Sequence, residues 1–151
     1  MKQEADRIQK ILKDSGLEHE ILEHPKVYTS KEASKVRGVP LEWGVKAMLL
    51  RVGSDAFILV LIRADKKIDF SFFKKKCGSK IQFAKPAEVL KITNCEIGSV
   101  PPFGHHHPLK TFLDRDILKQ EKATFNIGLH ERSAVMRGKD LEKVLPKHEI
   151  F

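Results

Sequence analysis

The run Ala56-Phe57-Ile58-Leu59-Val60-Leu61-Ile62 limits what this chain can become more than any other segment. Side chains of a strand alternate between two faces, so a run that is apolar throughout is apolar on both. Such a strand belongs inside a sheet that is covered on both sides. A second apolar run precedes it at about 45–52, across Gly53-Ser54-Asp55. The pair predicts a hairpin of strands 45–52 and 56–63.

The rest of the chain must supply the covers. Residues 2–15 place Ala5, Ile8, Ile11 and Leu12 on one helical face, and Gly16 is set to stop the helix. Thr29-Ser30-Lys31-Glu32 has the capping-box arrangement for a helix through Val36, ended by Gly38. Residues 69–77 read as a helix with Phe70 and Phe73 inward. Pro86 opens another, to about Thr93. Lys139 to Leu145 forms the last, and Pro146 closes it. Further strands are expected at Glu18–Glu23, Ile81–Phe83, Lys110–Leu113, Ala123–Ile127 and Ser133–Met136. Pro40 to Gly44 is a turn or short helix, and Asp114-Arg115-Asp116 a turn. Helices and strands interleave, with several short strand-to-strand steps. This predicts one compact α/β domain over 1–151 around a mixed, partly barrel-like sheet.

One residue breaks the pattern of the first hairpin strand. Lys46 shares a face with Met48 and Leu50. A lone ammonium on an apolar face is costly without a task or a partner, and the run 56–62 offers no polar residue to pair with it. Two readings stand: a functional lysine, or a rim lysine whose stem covers apolar surface while its head reaches water.

Charge narrows the classes of partner. A net charge of +8 favours an anionic partner, with nucleic acid first, against the plainer reading of a soluble basic surface. Lys66, Lys67, Lys74, Lys75, Lys76, Lys80 and Lys85 crowd one stretch. With one Trp and one Tyr, a base-stacking platform has little to build on, so phosphate contact is expected over base reading. No apolar run approaches the roughly 20 residues of a membrane helix. The charged start Met1-Lys2-Gln3-Glu4 lacks the apolar core of a signal peptide. A cytoplasmic chain without membrane contact is expected. Cys77 and Cys95 lie far apart, fit no metal spacing and are expected as thiols.

A second standout is Gly98-Ser99-Val100-Pro101-Pro102-Phe103-Gly104, where two glycines frame two prolines. The prolines fix φ and the glycines reach shapes closed to other residues. Such a loop is either a rigid connection or a frame that aims backbone N–H groups at a carbonyl oxygen or phosphate. His105-His106-His107 follow, but adjacent side chains point apart. No carboxylate or cysteine stands nearby at a ligand spacing, so no metal and no cofactor are expected. Ser99 and His105 form no nucleophile-elbow pattern. Thr29 is better placed as a helix cap. His24 and His130 are acid–base candidates that no spacing singles out.

With these residues in view, the chain after residue 18 resembles the YbaK/ProX family of aminoacyl-tRNA editing domains, relatives of the domain inserted in bacterial prolyl-tRNA synthetases. Glu23-His24-Pro25-Lys26-Val27-Tyr28-Thr29-Ser30-Lys31-Glu32-Ala33 looks like the family's opening segment. The spacing onward to Gly38 and Val45-Lys46 fits. Gly98 to Gly104 is similar to its Gly-x-x-x-Pro loop, and Leu113-Asp114 and Asp140-Leu141 match its closing pattern.

The resemblance implies the family's editing-domain fold and hydrolysis of the ester between an amino acid and the 3′ end of a tRNA. Lys46 falls on the family's essential lysine, with the implied role of binding the carbonyl or terminal phosphate region rather than attacking it. Gly98, Ser99, Val100, Pro101 and Pro102 fall on the loop that orients the ester and terminal adenosine. Thr29, Gly128 and His130 are implied substrate-binding positions. Lys66, Lys67, Lys74, Lys75, Lys76 and Lys80 are the tRNA-binding candidates. The implied mechanism uses a water held by backbone groups and the ribose hydroxyl. Gly128-Leu129-His130-Glu131-Arg132 follows neither the alanine-editing nor the cysteine-editing subgroup closely, while 24–33 leans to the former. His105 to His107 match no pattern of the family. The partners implied are the acceptor end of aminoacyl-tRNA and an aminoacyl-tRNA synthetase. A non-catalytic module of the same fold, holding tRNA or a synthetase, is the alternative. Release of amino acid from mischarged tRNA separates the two.

Overall fold

A computed structural model describes residues 2–151. Along it run α1 (Lys2–Ser15), β1 (His19–Glu23), α2 (Ser30–Arg37), β2 (Val45–Val52), β3 (Ala56–Arg63), α3 (Phe70–Cys77) and β4 (Ile81–Phe83). There follow α4 (Pro86–Thr93), β5 (Lys110–Leu113), α5 (Arg115–Leu118), β6 (Lys122–Leu129), β7 (Arg132–Arg137), α6 (Gly138–Val144) and β8 (His148–Ile150). A single 3-10 turn, Leu41–Trp43, leads into β2.

The hairpin forms in the expected register, with Lys46 opposite Ile62 and Leu50 opposite Ile58. β3 is the middle strand of a five-stranded mixed sheet ordered β4-β2-β3-β5-β8. Its alternate residues feed two cores. Leu59 and Leu61 pack with Ile8 and Leu12 of α1, with Phe125 and Met136 of the second sheet, and with Phe103 of the Gly/Pro loop. Ile58, Val60 and Ile62 pack with Phe73 and Phe112 on the other side. The both-faces-apolar run is thus a strand between two covers. The second sheet is three-stranded and antiparallel, ordered β1-β7-β6. One parallel bridge, between Gly44 and Thr124, ties it to the first.

Some expectations need correction. Phe70 does not point inward: it is 36% exposed and meets the Phe83 ring edge-on, while Phe73 alone of that helix is buried. Two helical turns over a sheet edge can bury only one narrow stripe. Asp114 opens α5 rather than a bare turn, its carboxylate accepting from the Asp116 N–H at 3.0 Å. β8 was not foreseen. His148-Glu149-Ile150 pairs with β5 through main-chain bonds alone, and so short a polar segment carries no alternation to read.

The length of β4 positions the site. It pairs with only Leu50, Arg51 and Val52 of β2, extended by a bond from the Ala84 N–H to the Leu49 carbonyl. Lys85 then precedes Pro86, which supplies no N–H and opens α4. Among the described residues the first half of β2 therefore has no strand neighbour on that side.

Candidate active site

A cavity of about 360 Å³ opens along that unpaired edge, between β2, α2, β6 and the loop after α4. Its wall includes Thr29, Arg37, Lys46, Gly98, Val100 and Thr124, and no Asp or Glu. Much of the remaining wall is aliphatic, from Val45, Ala47, Leu49 and Val89 among others.

Lys46 reaches the cavity from the open end of β2. Its Nζ donates to the main-chain carbonyl of Lys66. That carbonyl is set by the turn leaving β3, where the Lys66 N–H donates to Arg63 O at 3.0 Å. Burial pulls the Lys46 pKa below the ordinary lysine value; the Asp65 charge opposes this and the Lys67 charge adds to it. Asp65 is itself engaged by both nitrogens of a fork from Arg63, at 2.6 and 3.0 Å. Lys46 thus has a neutral hydrogen-bond partner and an ammonium whose charge is left for a ligand.

The Gly/Pro loop forms the facing wall. Gly98 has φ +86, the left-handed region that favours glycine. A Cβ there would meet His130 Cε1 at 3.4 Å and Tyr28 O at 3.9 Å. Gly98 and Val100 line the cavity. Ser99, Pro101 and Pro102 do not line it. Ser99 is buried, its hydroxyl donating to Glu96 O at 2.7 Å, and its carbonyl accepts from the Gly128 N–H at 2.9 Å. Its side chain is spent on holding the loop. The Pro101 carbonyl is pinned at 2.8 Å by His105 Nε2, which donates to it. Burial pushes the His105 pKa down, which suits a neutral ring in that role. The first of the three histidines is therefore a loop anchor.

Gly128 and His130 also stand behind the wall rather than in it. His130 is buried, donates from Nδ1 to Val27 O at 3.1 Å, and carries the exposed Tyr28 ring at 4.5 Å between centroids. Thr29 stands in the wall, but its hydroxyl caps α2, accepting from the Glu32 N–H at 3.1 Å. His24 lies outside the cavity wall and accepts at Nε2 from Ser133 Oγ at 2.7 Å.

Two of the six lysines proposed for tRNA are already engaged. Lys66 Nζ donates to Asp114 at 3.0 Å and to Asp116 at 2.5 Å, and Lys76 pairs with Glu149. A lysine held by two carboxylates has little charge to spare for phosphate. Lys67, Lys74, Lys75 and Lys80 are exposed. Among the described residues no group of three His, Cys, Asp or Glu side chains converges as a metal site would need.

Sequence reasoning missed Arg37, Thr124 and Asn126, all in the wall. Arg37 follows Ala33 by four residues, which puts it on the buried face of α2. That spacing was the available signal.

The 24–144 segment matches the family model described as an aminoacyl-tRNA editing domain. The chain is 28% identical over 143 residues to the Multifunctional Ser/Thr-tRNA deacylase ProXp-y of Escherichia coli strain K12, covering 91% of this chain and 86% of that one. It is 26% identical over 140 residues to the Prolyl-tRNA editing protein ProX of Acetoanaerobium sticklandii, covering 89% and 85%. A crystal structure of a candidate trans-editing enzyme for prolyl tRNA synthetase superposes with a TM-score of 0.86 at 27% identity, over 98% of this chain and 94% of that one. A family model that spans most of the chain settles the matter: this protein belongs to the aminoacyl-tRNA editing domain family.

Proposed function

We propose that this protein is a trans-acting deacylase that hydrolyses the ester between a wrongly attached amino acid and the 3′ end of its tRNA. The observation that carries this reading is one cavity lined by Lys46 and by Gly98 and Val100 of the Gly/Pro loop, in a chain of the editing family. The names of the Escherichia coli and Acetoanaerobium sticklandii relatives support the same reaction.

The chemistry is an acyl transfer to water. Water adds to the ester carbonyl carbon, negative charge develops on the carbonyl oxygen, and the bond to the ribose oxygen breaks. The products are a free amino acid and a tRNA with its terminal hydroxyl restored. Lys46 and the N–H groups of the loop stabilise the developing charge, and the aliphatic wall keeps their electrostatics strong. Lys46 is an electrostatic group here and not the attacking one. The water is held by backbone groups and the ribose hydroxyl, with no metal ion. Exhaustive chelation is expected to leave turnover intact; loss on chelation with rescue by zinc would reverse this part of the mechanism.

The whole chain acts as one editing domain in the cytoplasm, and a synthetase is a fitting partner for delivery of the tRNA. None of the helices in the described residues is long and apolar enough to cross a membrane. Lys67, Lys74, Lys75 and Lys80 hold the tRNA backbone. Affinity should then fall by about one log unit per log of salt for each phosphate contacted. Lys74→Glu and Lys75→Glu should each reduce that slope by roughly one. A flat salt titration by fluorescence anisotropy would remove the phosphate footprint.

The deciding experiment is release of labelled amino acid from a panel of mischarged tRNAs. Turnover of at least one member establishes the deacylase. Tight tRNA binding with no turnover of any member would leave a non-catalytic binding module.

A further inference from the structure

Beside its one Trp and one Tyr the chain has nine phenylalanines. Phe73, Phe103, Phe112 and Phe125 are core. Phe70 and Phe83 are not: they are 36% and 52% exposed, and they meet edge-on at 5.0 Å between centroids. An edge-on contact covers only one ring face of the two rings, so the pair can still take a further flat group. Phe72 is exposed as well, but its ring already packs against Phe73 and Phe151.

The pair is continuous with the cavity. Phe83 lines it, as do Lys46 and Met48. Phe83 stands opposite Leu50 in the ladder between β4 and β2. Residues opposite each other project from the same face, and alternation puts Lys46, Met48 and Leu50 on one face of β2. Lys46, Met48, Phe83 and, in contact with it, Phe70 therefore follow one another along a single face of the sheet. Charge follows the same line. Lys74 stands one helical turn after Phe70, on its side of α3. It is exposed, as are Lys67, Lys75 and Lys80. The acid beside Phe70 is spent on its own helix, since the Asp69 carboxylate accepts from the Phe72 N–H at 3.1 Å. The Phe72 side differs: Lys76, one turn on, is paired with Glu149.

We propose that Phe83 and Phe70 form a stacking surface for the unpaired nucleotides that precede the ester at the 3′ end of the tRNA, with Lys74 meeting their phosphates. The assignment rests on the deacylase reading above and extends it from the ester to the strand that carries it. A strand esterified at its last nucleotide must leave the cavity through its mouth. Each nucleotide it brings there has a π face and one negative charge. Rings and an ammonium in one line, continuous with the cavity, match both. Stacking tolerates every base, so the surface holds the strand without reading its sequence. A second copy of the chain fits this face less well, because two lysine-bearing faces of a chain with net charge +8 repel.

The test is binding of labelled, unacylated tRNA by fluorescence anisotropy, with the tRNA intact or trimmed of its unpaired 3′ nucleotides. The native protein should bind the intact form about tenfold more tightly, or better. Phe70→Ala should remove most of that difference, and Phe70→Trp should keep it. Phe70→Ala should leave the salt slope unchanged, because a ring releases no counterions, whereas Lys74→Glu should lower the slope. Should Phe70→Ala disturb α3, Phe70→Leu keeps an apolar side chain against Phe83 and should also lose most of the difference. Equal affinity of the native protein for the two forms overturns the proposal. So does an equal loss for both forms in Phe70→Ala and Phe70→Leu, which is the mark of a structural role. A dimer in sedimentation velocity that Phe70→Ala dissolves, with tRNA affinity unchanged, gives the face to a second copy and overturns it too. The same holds for lost binding of a synthetase with tRNA affinity unchanged, which gives the face to a protein partner. Binding of unacylated tRNA does not depend on turnover. Turnover of a mischarged tRNA without a 3′-end preference therefore brings down this proposal alone, and a 3′-end preference without any turnover brings down the deacylase reading alone.

Discussion

Lys46→Ala is expected to lower the deacylation rate by about 10²–10³-fold in a protein that remains folded, the usual cost of losing one preorganised electrostatic contact to a developing oxyanion. The fold should survive because the ammonium holds only the Lys66 carbonyl, at the partly exposed end of β2. Losing that bond costs about 1 kcal/mol. Thermal unfolding of the variant checks this. The role also has a signature in pH. The charged form is the active one, so the excess over spontaneous ester hydrolysis should be complete at neutral pH. It should decline as pH rises through the Lys46 pKa, which burial places below the ordinary lysine value. Retained activity in folded Lys46→Ala, or an excess that persists through strong alkali, would sink the assignment.

Gly98→Ala is expected to cost about 10²-fold, chiefly in kcat, because displacing reacting atoms by about 1 Å has that effect. The residue sits at φ +86, a backbone shape strained for alanine, so the loop is expected to shift, while a new Cβ would only come into contact with His130 at 3.4 Å. Stability should fall by more than about 1 kcal/mol, since alanine is strained at positive φ. Ser99→Ala separates backbone from side chain. It removes the bond to Glu96 O and should cost about 1 kcal/mol of stability with a mild effect on rate. If Ser99→Ala abolishes turnover while Gly98→Ala is harmless, the backbone model is wrong and a serine mechanism returns.

The hairpin, the central strand and the caps of α1 and α2 were legible because each rests on a local rule. Alternation places Lys46, a two-faced apolar run makes β3 central, and a capping box starts α2 at Ser30. Lys46 itself was legible because it breaks a pattern. What stayed hidden depends on contacts far apart in sequence. Arg37 meets Thr124, Asn126 and Ser133 across about ninety residues, and nothing local announces such a meeting. Ser99 and His105 show no nucleophile pattern in sequence, but their role as fasteners of the loop is visible only once their partners, the Glu96 and Pro101 carbonyls, are known. The lysine run was read as one cluster, although Lys66 and Lys76 are paired with acids supplied by the N-cap and first turn of α5 and by β8.

The acceptor that aims Lys46 is a main-chain carbonyl, and a main-chain carbonyl has no side-chain identity to lose. Residue 66 can therefore change its side chain without deleting the acceptor, as long as the turn after β3 keeps its shape. Two features hold that turn: the Lys66 N–H bond to Arg63 O, and the grip of Asp114 and Asp116 on the Lys66 side chain. A change at Asp114, which also accepts from the Arg63 N–H at 3.0 Å, removes two ties to this turn and can thus misaim Lys46, whereas a change at 66 leaves the Arg63 tie in place. Vulnerability and proximity to the reaction part company here: this site is inherited as the shape of a turn more than as a set of letters.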